Sequence, residues 1–119
     1  MFSAQLLDHF QNPRNAGDLA DPDASITIEN PVCGDILLFS LKIKQGRITH
    51  ARFKAKGCVA AMACGSVLTE LVVGKTLQQA RNLRREDLDA ATGGLPQASE
   101  HAAQLSLDAL SQALSQLLT

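Results

Sequence analysis

Asp35-Ile36-Leu37-Leu38-Phe39-Ser40-Leu41-Lys42-Ile43-Lys44-Gln45-Gly46-Arg47-Ile48-Thr49-His50-Ala51-Arg52-Phe53-Lys54-Ala55-Lys56 decides the fold of this chain. Leu37, Phe39, Leu41 and Ile43 fall on every second position, and so do Ala51, Phe53 and Ala55, which alternate with Arg52, Lys54 and Lys56. A period of two is the period of a strand with one buried face. Gln45-Gly46 supplies a turn between the two runs. The stretch therefore predicts a hairpin with strands at about 35–44 and about 47–56, one face wet and the other covered by helices.

A further strand is expected at about 25–30, where Ile26 and Ile28 alternate with polar residues after the Asp21-Pro22-Asp23 turn. Before it, Ser3 is a candidate N-cap for a helix reaching Phe10, with Leu6, Leu7 and Phe10 on one side. Pro13 and Gly17 break that helix. After the hairpin a helix is predicted at about 59–73, its first turns made small by Ala60, Ala61, Ala63 and Gly65, with Gly74 placed as the C′ residue. Thr76 with Gln79 has capping-box spacing for a short helix over Leu77 and Ala80. Another short segment covers 84–90. Beyond Gly93-Gly94-Leu95-Pro96, a last helix runs from about 97 or 99 to 118, with Leu107, Leu110, Leu114 and Leu117 as its apolar stripe. The sum is an α+β fold: a three-stranded antiparallel meander with helices packed on one face.

Composition narrows the function classes. A chain of 119 residues, 45% apolar, is read as one domain over 1–119 with enough core to fold unaided. Net charge is −1, there is no Trp or Tyr and no basic run, so nucleic-acid binding is not indicated. No apolar run approaches the roughly 20 residues of a membrane span. The first residues lack an export signal, so the expected compartment is the cytoplasm. Three cysteines do not make a disulfide framework, and reduced thiols are free for metal or sulfur chemistry.

Chemistry concentrates at the hairpin's ends. Pro31-Val32-Cys33-Gly34-Asp35 precedes the outgoing strand, and Lys56-Gly57-Cys58 ends the returning one, so two thiols distant in sequence meet at one sheet edge. Asp35, two residues after Cys33, adds an oxygen donor. His101, at the start of the last helix, is the fourth candidate. Each residue also has a plainer reading. A cysteine is often a small buried hydrophobe, an aspartate a turn former, and a histidine a solvated helical residue. His9 and His50 have weaker claims. Cys64 lies six residues after Cys58, about 240° round a helix at about 100° per residue. It reads as a packing residue. No nucleophile–His–acid set, phosphate loop or paired general acid and base appears, and the chain is not read as an enzyme.

The chain resembles the iron–sulfur cluster scaffold family of IscU and the NifU N-terminal domain. The resemblance rests on Asp8-His9-Phe10-Gln11-Asn12-Pro13-Arg14-Asn15-Ala16-Gly17, on Asn30-Pro31-Val32-Cys33-Gly34-Asp35, on Ala51 to Cys58 and on Leu68 to Lys75, in family order along nearly the whole chain. It implies that Cys33, Asp35, Cys58 and His101 hold a cluster or zinc. It implies a scaffold that takes sulfur from a cysteine desulfurase, binds iron or a transient [2Fe-2S] cluster, and passes it to iron–sulfur acceptor proteins. The family's third cysteine stands immediately after the histidine; here that position is Ala102. The family's chaperone-recognition segment Leu-Pro-Pro-Val-Lys is Leu95-Pro96-Gln97-Ala98-Ser99 here, which argues against a dedicated chaperone. The insertion of SufU-type sulfur carriers is absent. The alternative is a zinc-binding sulfur acceptor or regulatory paralogue of the same fold, since two thiolates, an imidazole and a carboxylate suit zinc.

Overall fold

The computed structural model describes residues 2–32 and 34–117, arranged around one antiparallel sheet. The chain runs α1 (Ala4–Gln11), β1 (Ala24–Glu29), β2 (Ile36–Lys44), β3 (Arg47–Lys56), α2 (Val59–Val72), α3 (Leu77–Arg81), α4 (Arg85–Ala91), a 3-10 turn (Gln97–Ser99) and α5 (Glu100–Leu117). Strand order is β1-β2-β3, the meander expected from the alternation. The predicted end of the last helix at residue 118 lies outside the described residues.

Inward-facing Leu37, Phe39, Leu41, Ala51 and Phe53 are at most 2% exposed, and they meet Val67, Leu68 and Cys64 of α2 and Leu105, Ala109 and Leu110 of α5. Burying each large side chain contributes roughly 1.5–3 kcal/mol, which makes this two-layer contact the main stabilising term. The helix–sheet approach depends on Gly65. A Cβ there would stand 2.6 Å from Phe53 Cδ2, closer than two carbons can come. Gly74 ends α2 with φ +89°, a left-handed conformation that an L side chain adopts only under strain.

Both sheet edges are capped at particular positions. Gln116 accepts from the Ser25 amide and donates to the Ser25 carbonyl, filling the outer edge of β1. On β3, Phe53 exchanges backbone hydrogen bonds with Asn15 and Gly17, and Ile48 does so with Lys75 and Gly74. Closed edges offer no template for strand addition at these positions.

Three details differ from the sequence reading. Leu7 is 38% exposed while His9 is buried, because α1 turns Leu6 and His9 toward α2. A bulge between Lys42 and Ile43 shifts the register so that Ile43 faces Ile48, and Ile48 joins the core although simple alternation from Ala51 would not select it. On α5 the buried stripe is Ala102, Ala103, Leu105, Ser106, Ala109, Leu110, Ala113 and Leu114, with Leu107 and Leu117 at its margins. Small residues bring this helix close to the sheet, which leucine counting does not register.

Candidate metal centre

Three elements deliver one side chain each to the same point. Asp35 sits at the entrance of β2, where its carbonyl accepts from the Asn30 amide at 2.8 Å. Cys58 follows β3 and caps α2: its sulfur accepts from the Ala61 amide at 3.3 Å. His101 occupies the first turn of α5. The Asp35 carboxylate, the Cys58 sulfur and the His101 imidazole offer donor atoms all within 4.8 Å of one another. Cys33 lies outside the described residues, so its expected place in this group is not tested by the geometry.

The separations are those of a coordination face. Cys58 Sγ is 3.3 Å from Asp35 Oδ2 and 3.8 Å from His101 Nε2, and His101 Nε2 is 3.5 Å from Asp35 Oδ2. Tetrahedral metal–ligand bonds of 2.0–2.3 Å place neighbouring donors about 3.3–3.8 Å apart. One sulfur, one nitrogen and one oxygen donor thus already stand at the edges of such a site, with chemistry suited to zinc or iron.

Backbone contacts fix each donor. His101 Nδ1 lies 3.1 Å from the Ala98 carbonyl, which can only accept, so Nδ1 carries a proton and Nε2 is the ring atom turned toward Asp35 and Cys58. Asp35 is 4% exposed; Oδ1 accepts from the Cys58 amide and Oδ2 from the Cys58 thiol, both at 3.3 Å. Cys58 is exposed as a residue, but its thiol is partly covered, and that burial pushes the thiol up from its ordinary value of 9.0. The Ala61 amide opposes the shift, and the Asp35 hydrogen bond and charge add to it. The thiol therefore holds its proton until a metal competes for the sulfur.

Gly57 makes room for the carboxylate. A Cβ at this position would stand 2.6 Å from Asp35 Cγ, and its φ of +153° lies in a region L side chains rarely adopt. The contact of Gly57 with Asp35 becomes visible only when the β2 and β3 ends are brought together in space. The Ala98 carbonyl left no sequence signal at all, since any residue supplies one.

The remaining candidates fall elsewhere. Cys64 is fully buried among core residues, and burial first, then the neighbouring Cys58, raises its thiol to about 12. His50 is exposed and contacts Thr49 Oγ1 at 3.1 Å. His9 builds a separate buried network: Nδ1 is 2.7 Å from Ser66 Oγ and Nε2 is 3.4 Å from Glu70 Oε1. Ser66 Oγ also accepts from the Arg14 amide at 2.8 Å, tying the loop after α1 to α2.

The family model described as NifU-like N terminal domain matches residues 1–119. The chain is 43% identical over 114 residues to the iron-sulfur cluster assembly scaffold protein IscU 1 of Archaeoglobus fulgidus, covering 96% of this chain and 74% of that one. It is 35% identical over 117 residues to the iron-sulfur cluster assembly scaffold protein IscU of Escherichia coli K12, covering 95% and 91%. Among solved structures, the N-terminal part of a nitrogen-fixing NifU-like protein from Brucella abortus superposes with a TM-score of 0.80 at 24% identity, covering 98% and 93% of the two chains, and so supports the fold.

Proposed function

The chain belongs to the NifU-like N-terminal domain family, and on that premise we propose that its residues 1–119 form one scaffold domain that assembles and passes on an iron–sulfur cluster. The observation that carries this reading is the convergence of Asp35, Cys58 and His101 at one exposed edge, with donor separations matching a metal face. Cys33, across the hairpin end in sequence, is the fourth donor of the proposed set. The cluster, of [2Fe-2S] type, is cargo. A mixed donor set holds it less firmly than four thiolates would, which suits handover.

The residues divide the work. Cys58 and Cys33 accept sulfur or ligate iron as thiolates. Asp35 accepts the hydrogen bond of the Cys58 thiol, and when metal binds the sulfur that proton is released to solvent, leaving Asp35 free as a carboxylate donor. His101 supplies an imidazole nitrogen whose direction the Ala98 carbonyl fixes. The implied partners are a cysteine desulfurase and iron–sulfur acceptor proteins, meeting in the cytoplasm, with the protein acting as carrier and not as catalyst. No described helix is long and apolar enough to cross a membrane. Delivery by a dedicated chaperone does not fit Gln97-Ala98-Ser99.

Anaerobic reconstitution with ferrous iron, cysteine and a cysteine desulfurase tests the assignment. The expected result is a visible cluster chromophore with acid-labile sulfide in the native chain, lost in Cys58→Ser and reduced in Asp35→Ala. Equal yields in native and Cys58→Ser protein would overturn it. A second reading, a zinc-binding sulfur acceptor, rests on the same tetrahedral donor spacing. Stoichiometric zinc in the purified protein with no cluster on reconstitution would select it.

A further inference from the structure

The β2–β3 part of the sheet face turned away from the helices carries charge of one sign. Between Ile36 and Lys56 the sequence holds six cations and no carboxylate. Strand register places all six on this outer face: Lys42 faces His50, Lys44 faces Arg47, and Arg52, Lys54 and Lys56 stand opposite Ser40, Leu38 and Ile36. The bulge between Lys42 and Ile43 keeps Lys44 and Arg47 in that row.

Little on the chain neutralises them. Asp18 reaches Lys54 at 3.2 Å and Asp21 reaches Lys42 at 3.7 Å. Asp23 uses its carboxylate on the Ile43 amide, and Glu29 stands at the β1 end opposite Ile36. Lys44, Arg47, Arg52 and Lys56 have no carboxylate partner among the described residues; Arg47 and Arg52 donate only to the carbonyls of Gly74 and Ala16. Five carboxylates, by contrast, lie in α4 and α5 of the helical layer. Arg81, Arg84 and Arg85 share that layer, so the single-sign row is a feature of the β2–β3 hairpin and not of the whole sheet side.

The same face is not uniformly polar. Ile36 and Leu38 are half-buried on the middle strand at the end nearest the metal centre, between Lys56 and Lys54 of β3 and Glu29 and Thr27 of β1. Transient protein interfaces pair apolar contact area with charges that steer and orient the partner. The face also runs into the metal centre, because Ile36 follows Asp35 directly and Lys56 stands two residues before Cys58.

We propose that the outer face of the β2–β3 hairpin is a docking surface for an acidic protein surface, which it orients beside the metal centre. This inference goes beyond the scaffold reading and holds whether the site carries a cluster or zinc. Attraction between opposed charges that are still partly solvated is screened over a Debye length of about 8–10 Å, so binding is fast, weak and salt-dependent.

The test titrates the isotope-labelled metal-free chain with a synthetic peptide of about ten residues that alternates glutamate with leucine. Amide shifts are expected on β2 and β3, with affinity falling at least about tenfold between about 50 and 300 mM salt. The combined variant Lys44→Glu, Arg52→Glu and Lys56→Glu is expected to lose the shifts, while Arg81→Glu, in the helical layer, keeps them. Should the triple variant lose its fold by circular dichroism, Lys44→Gln with Lys56→Gln is expected to weaken binding at least about threefold. Shifts confined to α4 and α5, or affinity unaffected by these substitutions in folded protein, would overturn the proposal. So would tighter binding of this face to duplex DNA or to anionic phospholipid vesicles than to the peptide.

Discussion

Cys58 is bonded twice to the carboxylate of Asp35, through its amide to Oδ1 and through its thiol to Oδ2, each at 3.3 Å. One side chain from the start of β2 therefore positions the sulfur and also governs its proton. Burial raises the Cys58 thiol first, and the Asp35 hydrogen bond and charge raise it further. In Asp35→Asn the volume stays and the charge goes, so the thiol loses its proton at lower pH and alkylates faster at any pH below its titration. The check is the rate of iodoacetamide labelling against pH in a Cys33→Ala, Cys64→Ala background, where Cys58 is the one thiol left. A rate profile unmoved by the substitution would mean that burial alone sets the thiol.

Room for that carboxylate is expected to be tightly limited. Gly57→Ala puts a methyl group within 2.6 Å of Asp35 Cγ, on a backbone with φ +153°. Overpacking of this kind costs roughly 1–3 kcal/mol. The midpoint of urea unfolding is expected to fall accordingly, and cobalt binding, read from its thiolate charge-transfer band, is expected to weaken because Asp35 and Cys58 are pushed apart. Normal cobalt affinity in a destabilised Gly57→Ala chain would separate the stability role from the site.

The His9 network gives stability a pH dependence whose sign can be worked out. Burial, followed by the Arg14 charge, lowers His9 below 6.5, and Glu70 and Asp8 offset this only in part. The unfolded chain therefore takes up its proton first as pH falls. The contribution of neutral His9 is whole above the unfolded value, about 6.5, and is lost as pH drops through it toward the folded value. Urea midpoints of native protein are expected to fall between about pH 7.5 and about pH 5.5, and His9→Gln should flatten that dependence while costing about 1 kcal/mol near neutrality. An equally steep loss in His9→Gln would assign it to other groups.

Sheet order, the β3 limits and the helix caps were legible in the sequence because each rests on local pattern: alternation, Gln45-Gly46, Ser3, and Thr76 with Gln79. The α2 start was legible for the same reason, since Gly57-Cys58 interrupts a strand. Asp35 and His101 were legible as candidates, but their meeting depends on α5 lying along β1 and β2, a tertiary fact no local period encodes. The burial of His9 was hidden because one polar residue in an amphipathic helix looks solvated until its partners, Ser66 and Glu70, arrive from more than fifty residues away. The charge row on the outer sheet face was half legible; completing it required the bulge that keeps Lys44 and Arg47 in register.

The last prediction concerns which thiol acts as sulfur acceptor under the proposed function, given that the resemblance expects a cysteine where this chain has Ala102. Cys64 is fully buried and its thiol is raised to about 12, so at neutral pH it is neither accessible nor a thiolate. Cys64→Ala is expected to lower stability by roughly 1–2 kcal/mol through the small void it leaves, with persulfide and cluster yields unchanged. Ala102 is also fully buried, but it directly follows His101 in the first turn of α5. A sulfur introduced there costs roughly 1–3 kcal/mol in overpacking, yet it adds a soft ligand and a nucleophile next to the imidazole, where alanine supplies neither. Persulfide and cluster yields from the native chain, Cys64→Ala and Ala102→Cys, measured side by side under anaerobic conditions, decide the matter. The expected order is an increase in Ala102→Cys and no change in Cys64→Ala. Collapse of sulfur uptake in Cys64→Ala alone would show that the core opens far enough to make that buried thiol the acceptor.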